Sequence, residues 1–377
     1  MTGNDPQYGY YRSPDRKFIM VALVPDTVSK LAALGLDVTV ESDAGAAAFA
    51  TDADYTAAGA TVVEPGAVAA AFADADVVAT VRPLDPDRAS TLKAGAVALS
   101  FLQPNNDTET IAAIAGAGAT ALSFDLVPRI SRAQSMDALT SQALVTGYRA
   151  TLVGAENLPK FFPLFMTAAG TIPPAKVLVL GAGVAGLQAI ATAKRLGAVV
   201  SAYDVRAASK DEVHSVGANF IELDLEALEA GGGYAKEMTE ERAARQRELL
   251  TPYITESDVL ITTAAVPGRQ APRLVTSEML AGMKPGSVVV DLASETGGNV
   301  EGSVAGEQVI IDGVKIWGAK DVASEMPVHA SRLYAMNVVA LLGLAVKEGE
   351  LVLDPEDEVF EGCAVVLNGE IKKGDAA

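Results

Sequence analysis

The sequence predicts an α/β protein of two domains, each a mostly parallel sheet with flanking helices. Three observations carry this. Short apolar strand-like runs alternate with helical patterns along most of the 377 residues, which is the signature of parallel sheets with crossover helices. The run Lys176 to Leu180 breaks into Gly181-Ala182-Gly183-Val184-Ala185-Gly186 and continues as a helical pattern through Leu187, Ile190 and Leu196. A last apolar helix, Leu333 to Val346, follows the final strand. It is placed back on the first domain, which makes that domain discontinuous.

The elements follow in order. Phe18 to Val24 reads as a first strand ended by Pro25, and a helix after Asp26 carries Val28, Leu31 and Leu34 on one face as far as Gly35. Strands are predicted at 36–40, 76–81, 96–102 and 119–124, with helices near 87–92 and 107–115. A polar segment, Val127 to Thr140, precedes a long helix from about Leu139 to Leu152. In the second half, strands are predicted at 177–180, 199–204, 219–223, 258–262, 287–291 and 314–317, six with intervening helices. A glycine-containing, charged segment at 224–248 interrupts them. The domains are therefore 1–138 with 322–377, and 139–321.

Each fingerprint glycine has a steric reason. Gly181 permits the sharp turn, Gly183 lets a pyrophosphate approach the backbone, and Gly186 lets the helix lie close on the strand. The unpaired N–H groups at the helix start face the phosphates. The next strand ends in Asp204, whose carboxylate accepts ribose hydroxyls and repels a 2′-phosphate. The second domain is thus a Rossmann dinucleotide-binding domain that favours NAD(H). Asp204 as a helix cap is the plain alternative. Arg206 complicates the reading, because an arginine there accepts a 2′-phosphate.

Composition narrows the rest. Forty-eight acidic against 29 basic residues give a net charge of −19, which argues against nucleic acid and anionic lipid as partners. One cysteine, Cys363, and two histidines, His214 and His329, offer no metal cluster. The apolar stretch Leu333 to Val346, 14 residues, is too short to cross a bilayer, and the N-terminal residues lack the apolar core of a signal peptide. A soluble, cytoplasmic protein is expected.

Several segments together resemble the NAD(H)-binding component of proton-translocating nicotinamide nucleotide transhydrogenase and, more distantly, alanine dehydrogenase. They are Arg129-Ile-Ser-Arg-Ala-Gln-Ser-Met-Asp137, the fingerprint with Tyr203-Asp-Val-Arg206, Gly232-Gly-Tyr-Ala-Lys-Glu-Met238, Thr262 to Arg269, Met283 to Asp291 and His329 to Asn337. The resemblance implies a homodimer of two-domain subunits with NAD(H) in a cleft. It implies docking on a membrane proton-channel subunit and on a separate NADP(H)-binding domain, peripheral on the inner face of the membrane. Hydride passes directly from NADH to NADP⁺, with no metal. The pattern departs from the resemblance at Tyr8 to Lys17, where a lysine-glutamate pair and an arginine-rich turn are usual.

The resemblance also assigns residues. Arg129, Gln134, Asp137 and Thr140 stand at the nicotinamide end. Cofactor contacts fall on Gly181, Gly183, Val184, Gly186, Asp204, Val205, Arg206, Gly233, Tyr234, Gln246, Ala264, Val266 and Asn337. Plain alternatives stand beside several of these. Asp137 is also a good N-cap for the following helix, Asn337 a candidate core amide, Tyr234 a loop residue or part of a lid, and His329 a structural histidine. Two other functions stay open, a soluble amino-acid dehydrogenase of the alanine dehydrogenase type and a non-catalytic NAD sensor. The dehydrogenase needs a proton-transfer pair, and its usual lysine and histidine positions read here as Val81-Arg82-Pro83 and Phe101-Leu102-Gln103-Pro104.

Overall fold

The computed structural model describes residues 20–225, 239–265, 270–347 and 350–373. The chain forms two compact units, Met1–Gln142 with Ser324–Ala377, and Ala143–Ala323.

The first unit is built on a five-stranded sheet in the order Glu370–Ile371, Ala364–Leu367, Thr120–Ser123, Val97–Ser100, Val77–Ala79. The last three strands are mutually parallel, and the two C-terminal ones are antiparallel. All four residues of Val97–Ser100 and of Thr120–Ser123 are buried, as expected of parallel strands covered on both faces. The helix Thr108–Gly116 lays Ile111 and Ile114 on this core and is capped by Asp107, which accepts from the Thr110 N–H. The two C-terminal strands were not foreseen, although their turn is written plainly. Asn368 and Gly369 both hold positive φ, 48° and 82°, the backbone of a two-residue hairpin.

Met20 to Val24 is in no strand, against the expectation; Phe18 and Ile19 lie outside the described residues. Val21 and Ala22 are nevertheless fully buried. The Val21 N–H donates to the Ser331 hydroxyl, 3.0 Å, so a side chain satisfies the backbone where a strand partner would have done so. Ser331 sits on the helix Pro327–Ala345. This helix has 19 residues and is long and apolar enough to cross a membrane, because Pro327 starts it ahead of the 14-residue apolar stretch. Half of its most apolar window is buried, and its Tyr334 hydroxyl donates to the Thr80 carbonyl. It is a core helix of this unit.

The second unit carries a seven-stranded sheet in the order Asn219–Phe220, Val199–Tyr203, Lys176–Leu180, Val259–Thr262, Val288–Asp291, Val314–Gly318, Gln308–Ile311. The first six are parallel in the doubly wound order, and the seventh is antiparallel. The seventh strand was missed, for the same reason as the C-terminal pair. Its turn is Asp312-Gly313, at φ 50° and 80°. The charged segment after residue 238 is a 17-residue helix, Glu240–Glu256, capped by Thr239. At the amino end of the strand Val259–Thr262, buried Asp258 accepts from Lys160 Nζ at 2.7 Å and from the Lys176 N–H at 2.9 Å. Burial alone would raise the Asp258 carboxyl, but these donors hold it below the usual carboxylate value.

Candidate functional site

The strand Lys176–Leu180 ends where three glycines do three different jobs. Gly181 takes φ +100°, and a Cβ there would lie 2.5 Å from the Thr263 hydroxyl. A Cβ on Gly186 would lie 1.9 Å from the Gly181 carbonyl oxygen, so helix and turn touch through the missing side chain. A Cβ on Gly183 would meet nothing within 4 Å. That glycine is exposed and N-caps the helix Val184–Arg195 with no side-chain cap. No side chain covers the helix start at this position, which suits the approach of an anion such as a pyrophosphate.

Asp204 follows the neighbouring strand Val199–Tyr203 and turns back onto the glycine turn. Its Oδ2 accepts the Ala182 N–H at 2.7 Å, and its Oδ1 accepts the Arg206 N–H at 2.9 Å. The Arg206 guanidinium adds Nε to Oδ1 at 3.1 Å and Nη2 to Oδ2 at 3.2 Å, and Nη2 also reaches the Ala182 carbonyl. The acid thus cross-links the two strand ends. It also lines a cavity of about 180 Å³ with Tyr203, Val205, Arg206, Ile221 and Leu223, a mixed apolar and polar lining that fits an adenosine. Burial first, and the Asp204 charge second, push the Tyr203 phenol up to about 12. Gln246 is buried behind it and hydrogen-bonds the phenol.

A third strand end joins them. Thr263 donates its hydroxyl to the Gly181 carbonyl at 3.0 Å. Both backbone groups of Ala264 are taken by the side chain of buried Asn299, at 3.1 and 2.8 Å. Asn299 in turn is placed by buried Asp291, which accepts from the N–H groups of Ala293, Asn299 and Val300 and from the Thr262 hydroxyl. The sequence reading missed Thr263, Asp291 and Asn299 as a framework. Strand-end position was the available signal for Asp291; Asn299, 35 residues from Ala264, gave none. Gly233, Tyr234 and Val266 lie outside the described residues.

The polar loop belongs to the first unit. Asp137 caps the helix Ala138–Asn157, accepting from the Thr140 N–H at 2.8 Å and the Thr140 hydroxyl at 2.6 Å. Asn337 is buried; it donates to the Ser135 carbonyl at 2.8 Å and accepts from the Ser141 hydroxyl at 2.8 Å. The core-amide alternative therefore describes Asn337 as it stands. Arg129 and Gln134 are exposed. Arg132 makes a two-pronged bond to Asp357, at 3.0 and 2.7 Å, which fixes the short helical turn Ser131–Met136 to the C-terminal region of this unit. His329 is exposed. No group of three or more metal-ligating side chains occurs among the described residues.

Comparison with known proteins agrees over nearly the whole chain. Residues 19–146 match the family model described as alanine dehydrogenase/PNT, N-terminal domain, and residues 150–374 match its C-terminal domain. The chain is 48% identical over 361 residues to an NAD(P) transhydrogenase subunit alpha polypeptide of Rhodospirillum rubrum, covering 93% of this chain and 94% of the relative. A crystal structure of transhydrogenase from Sinorhizobium meliloti superposes with a TM-score of 0.83 at 43% identity, over 96% of this chain and 98% of that one. An L-alanine dehydrogenase shares the fold at a TM-score of 0.76 and 23% identity, over 96% and 95% of the two chains.

Proposed function

The chain belongs to the alanine dehydrogenase/PNT family of oxidoreductases, and from that premise we propose that it is the NAD(H)-binding subunit of a proton-translocating NAD(P) transhydrogenase. It passes hydride directly from NADH to NADP⁺ held on a separate subunit. The observation that carries the proposal is the pairing of open Gly183 with close-packed Gly186 and strand-end Asp204. One glycine leaves room for a pyrophosphate, one fixes the helix that faces it, and the acid stands where ribose hydroxyls would be read. The 48% identity to a subunit named for transhydrogenation supports the reaction class.

In this reading Gly181, Gly183, Val184 and Gly186 hold the pyrophosphate, and Asp204, Val205, Arg206 and Gln246 the adenosine end. Ala264 stands on the nicotinamide side, held by Asn299. Arg129, Gln134, Asp137 and Thr140 orient the nicotinamide, with exposed Gln134 as its hydrogen-bond partner. Transfer between two nicotinamides needs no acid–base pair in the protein. It needs proximity, orientation and exclusion of water. The poverty of proton-transfer groups is therefore consistent with this function and weighs against the amino-acid dehydrogenase.

The reading includes partners: a proton-channel subunit and an NADP(H)-binding domain at the inner membrane face, and a second copy of this chain. The hairpin Phe165–Thr167 with Gly170–Ile172 is exposed along both strands. It carries Phe165 and Met166 beside exposed Phe161 and Leu164, an apolar surface that suits a homodimer contact. Reconstitution tests the whole. Purified chain mixed with an NADP(H)-binding domain should reduce NADP⁺ or its analogue at the expense of NADH. Pyruvate- and ammonia-dependent NADH oxidation by the chain alone would establish the dehydrogenase instead, and NADH binding with neither reaction would leave a sensor.

A further inference from the structure

The helix Val184–Arg195 is seated by residues outside the fingerprint. In the helix Ala138–Asn157, Gly147, Thr151 and Gly154 are spaced four and three residues apart and so share one face. All three are buried and lie in the second unit. A Cβ on Gly147 would lie 2.0 Å from the Ala185 carbonyl oxygen. The Thr151 hydroxyl donates to the Ala189 carbonyl at 3.0 Å, one turn further along the same helix. A Cβ on Gly154 would lie 2.9 Å from Val259 Cγ1, and Ala150 and Val153 belong to the core cluster that holds Val177 and Ile190. The long helix therefore has no room to retreat. A methyl group at position 147 has to displace the Ala185 carbonyl instead.

That carbonyl matters because of the group that shares its peptide unit. The Ala185 C=O and the Gly186 N–H are the two ends of one planar trans amide and point in opposite directions. The Leu187 N–H makes the first intrahelical bond, to the Gly183 carbonyl at 2.8 Å. The Gly186 N–H therefore lies in the opening turn and has no intrahelical partner. Seating the carbonyl sets the direction of that free donor. Gly186 itself is fixed on another side, where a Cβ would lie 1.9 Å from the Gly181 carbonyl oxygen. One peptide unit is thus gripped twice, by a glycine within the motif and by a glycine outside it.

We infer that Gly147 is a positioning residue for the dinucleotide: it holds the Ala185–Gly186 peptide unit at the angle that aims the Gly186 N–H at the pyrophosphate. Thr151 steadies the same helix one turn further on. Neither residue is a ligand contact; both act through the backbone of the helix Val184–Arg195. A hydrogen bond from an amide to a phosphate weakens steeply with misalignment, so a small rotation of this one unit reaches the ligand. Position 147 therefore governs affinity for the phosphate part of the dinucleotide and leaves recognition of adenosine alone. The inference rests on the reading that the pyrophosphate binds at the glycine turn.

Calorimetric titration with NADH, alone and in competition with adenosine, which carries no phosphate, tests it on wild type, Gly147→Ala, Thr151→Val and Thr151→Ser. Gly147→Ala should bind NADH about tenfold more weakly, the loss expected for one hydrogen bond to a charged group, while adenosine competes as it does in wild type. Thr151→Val, which keeps the shape and removes the donor, should weaken NADH about threefold. Thr151→Ser, which keeps the donor, should bind as wild type does. Thermal melting verifies folding, and if Gly147→Ala does not fold, the two Thr151 variants decide. Wild-type NADH affinity in folded Gly147→Ala or in Thr151→Val, equal losses for NADH and adenosine, or a Thr151→Ser protein as weak as Thr151→Val overturns the inference, while NADH binding by wild type leaves the NAD(H) reading intact. Wild type that binds no NADH overturns the reading itself.

Discussion

The glycine turn at 181–186 and the polar loop at 129–140 are both candidate nucleotide segments, yet their polar and steric features are used differently. At the turn, the feature proposed to serve a ligand is one that the fold leaves unused. Gly183 opens on empty space, whereas Gly181 and Gly186 are consumed by contacts with Thr263 and with each other. In the loop, several groups assigned to a ligand already serve the protein. Asp137 caps a helix and binds the Thr140 hydroxyl, and Asn337 bridges Ser135 and Ser141. A motif defined by missing atoms has a single physical meaning at each position. A motif defined by polar atoms can be satisfied internally or by a ligand.

Four experiments break or sharpen this contrast. The largest effect is expected at Gly186. Gly186→Ala drives a methyl into the Gly181 carbonyl and should cost about 3 kcal/mol of stability, with NADH binding lost alongside. Gly183→Ala should leave the melting temperature near wild type while NADH affinity falls about tenfold through a lost approach to the backbone. Equal melting losses in the two variants would erase the distinction between packing glycine and ligand glycine.

The second moves along the same sheet, to the amino end of the strand Val259–Thr262. Asp258→Ala leaves Lys160 without its carboxylate and should cost about 2 kcal/mol at neutral pH. The sign with pH follows from its folded carboxyl lying below the ordinary aspartate value of 3.8. The unfolded chain then binds this proton more readily, so the stabilisation is fully present above that value and fades as pH falls through the folded one. Asp258→Asn should flatten that stretch of the acid melting curve. An unchanged acid limb would mean that the lysines do not hold the carboxylate in solution.

The third addresses the loop. Asp137→Ala removes the cap and should lower stability by about 1 kcal/mol. Gln134→Ala, at an exposed position, should change stability by less than about 0.5 kcal/mol while slowing reconstituted hydride transfer. A Gln134→Ala protein with unaltered transfer would reduce the loop to its capping role. The smallest effect is a null result. Burial pushes the Cys363 thiol up to about 12, so native protein at a pH of about 8 should resist alkylation and become reactive only in denaturant; rapid labelling would show that this region of the first unit opens.

The two segments were also legible to different degrees. The turn and its flanking strands could be read from residue types, because a tight bend, a close approach and a buried parallel strand each demand particular side chains. The loop at 129–140 gave only a polar stretch before a helix, and its functional reading came from resemblance. The strands Gln308–Ile311, Ala364–Leu367 and Glu370–Ile371 were overlooked although Asp312-Gly313 and Asn368-Gly369 mark their hairpins. Antiparallel edge strands are joined by two-residue turns and so lack the strand–helix alternation that marks the parallel ones. The expected strand at the start of the chain fails in Met20 to Val24 for the converse reason. Its apolar residues are buried as predicted, but Ser331, 310 positions away, takes the Val21 N–H.

The sequence by itself determined the alternation of strands and helices, the dinucleotide turn and the acid that follows it, because each rests on local sterics or on short-range periodicity. Only the tertiary structure decided which partners those groups meet. It put Arg206 on both Asp204 oxygens, closed Asn299 on Ala264, gave Asn337 two protein partners and left the Arg242 Nε without one among the described residues. Hydrogen bonds and ion pairs depend on distances of a few ångströms between residues far apart in the chain, and residue order alone does not set those distances.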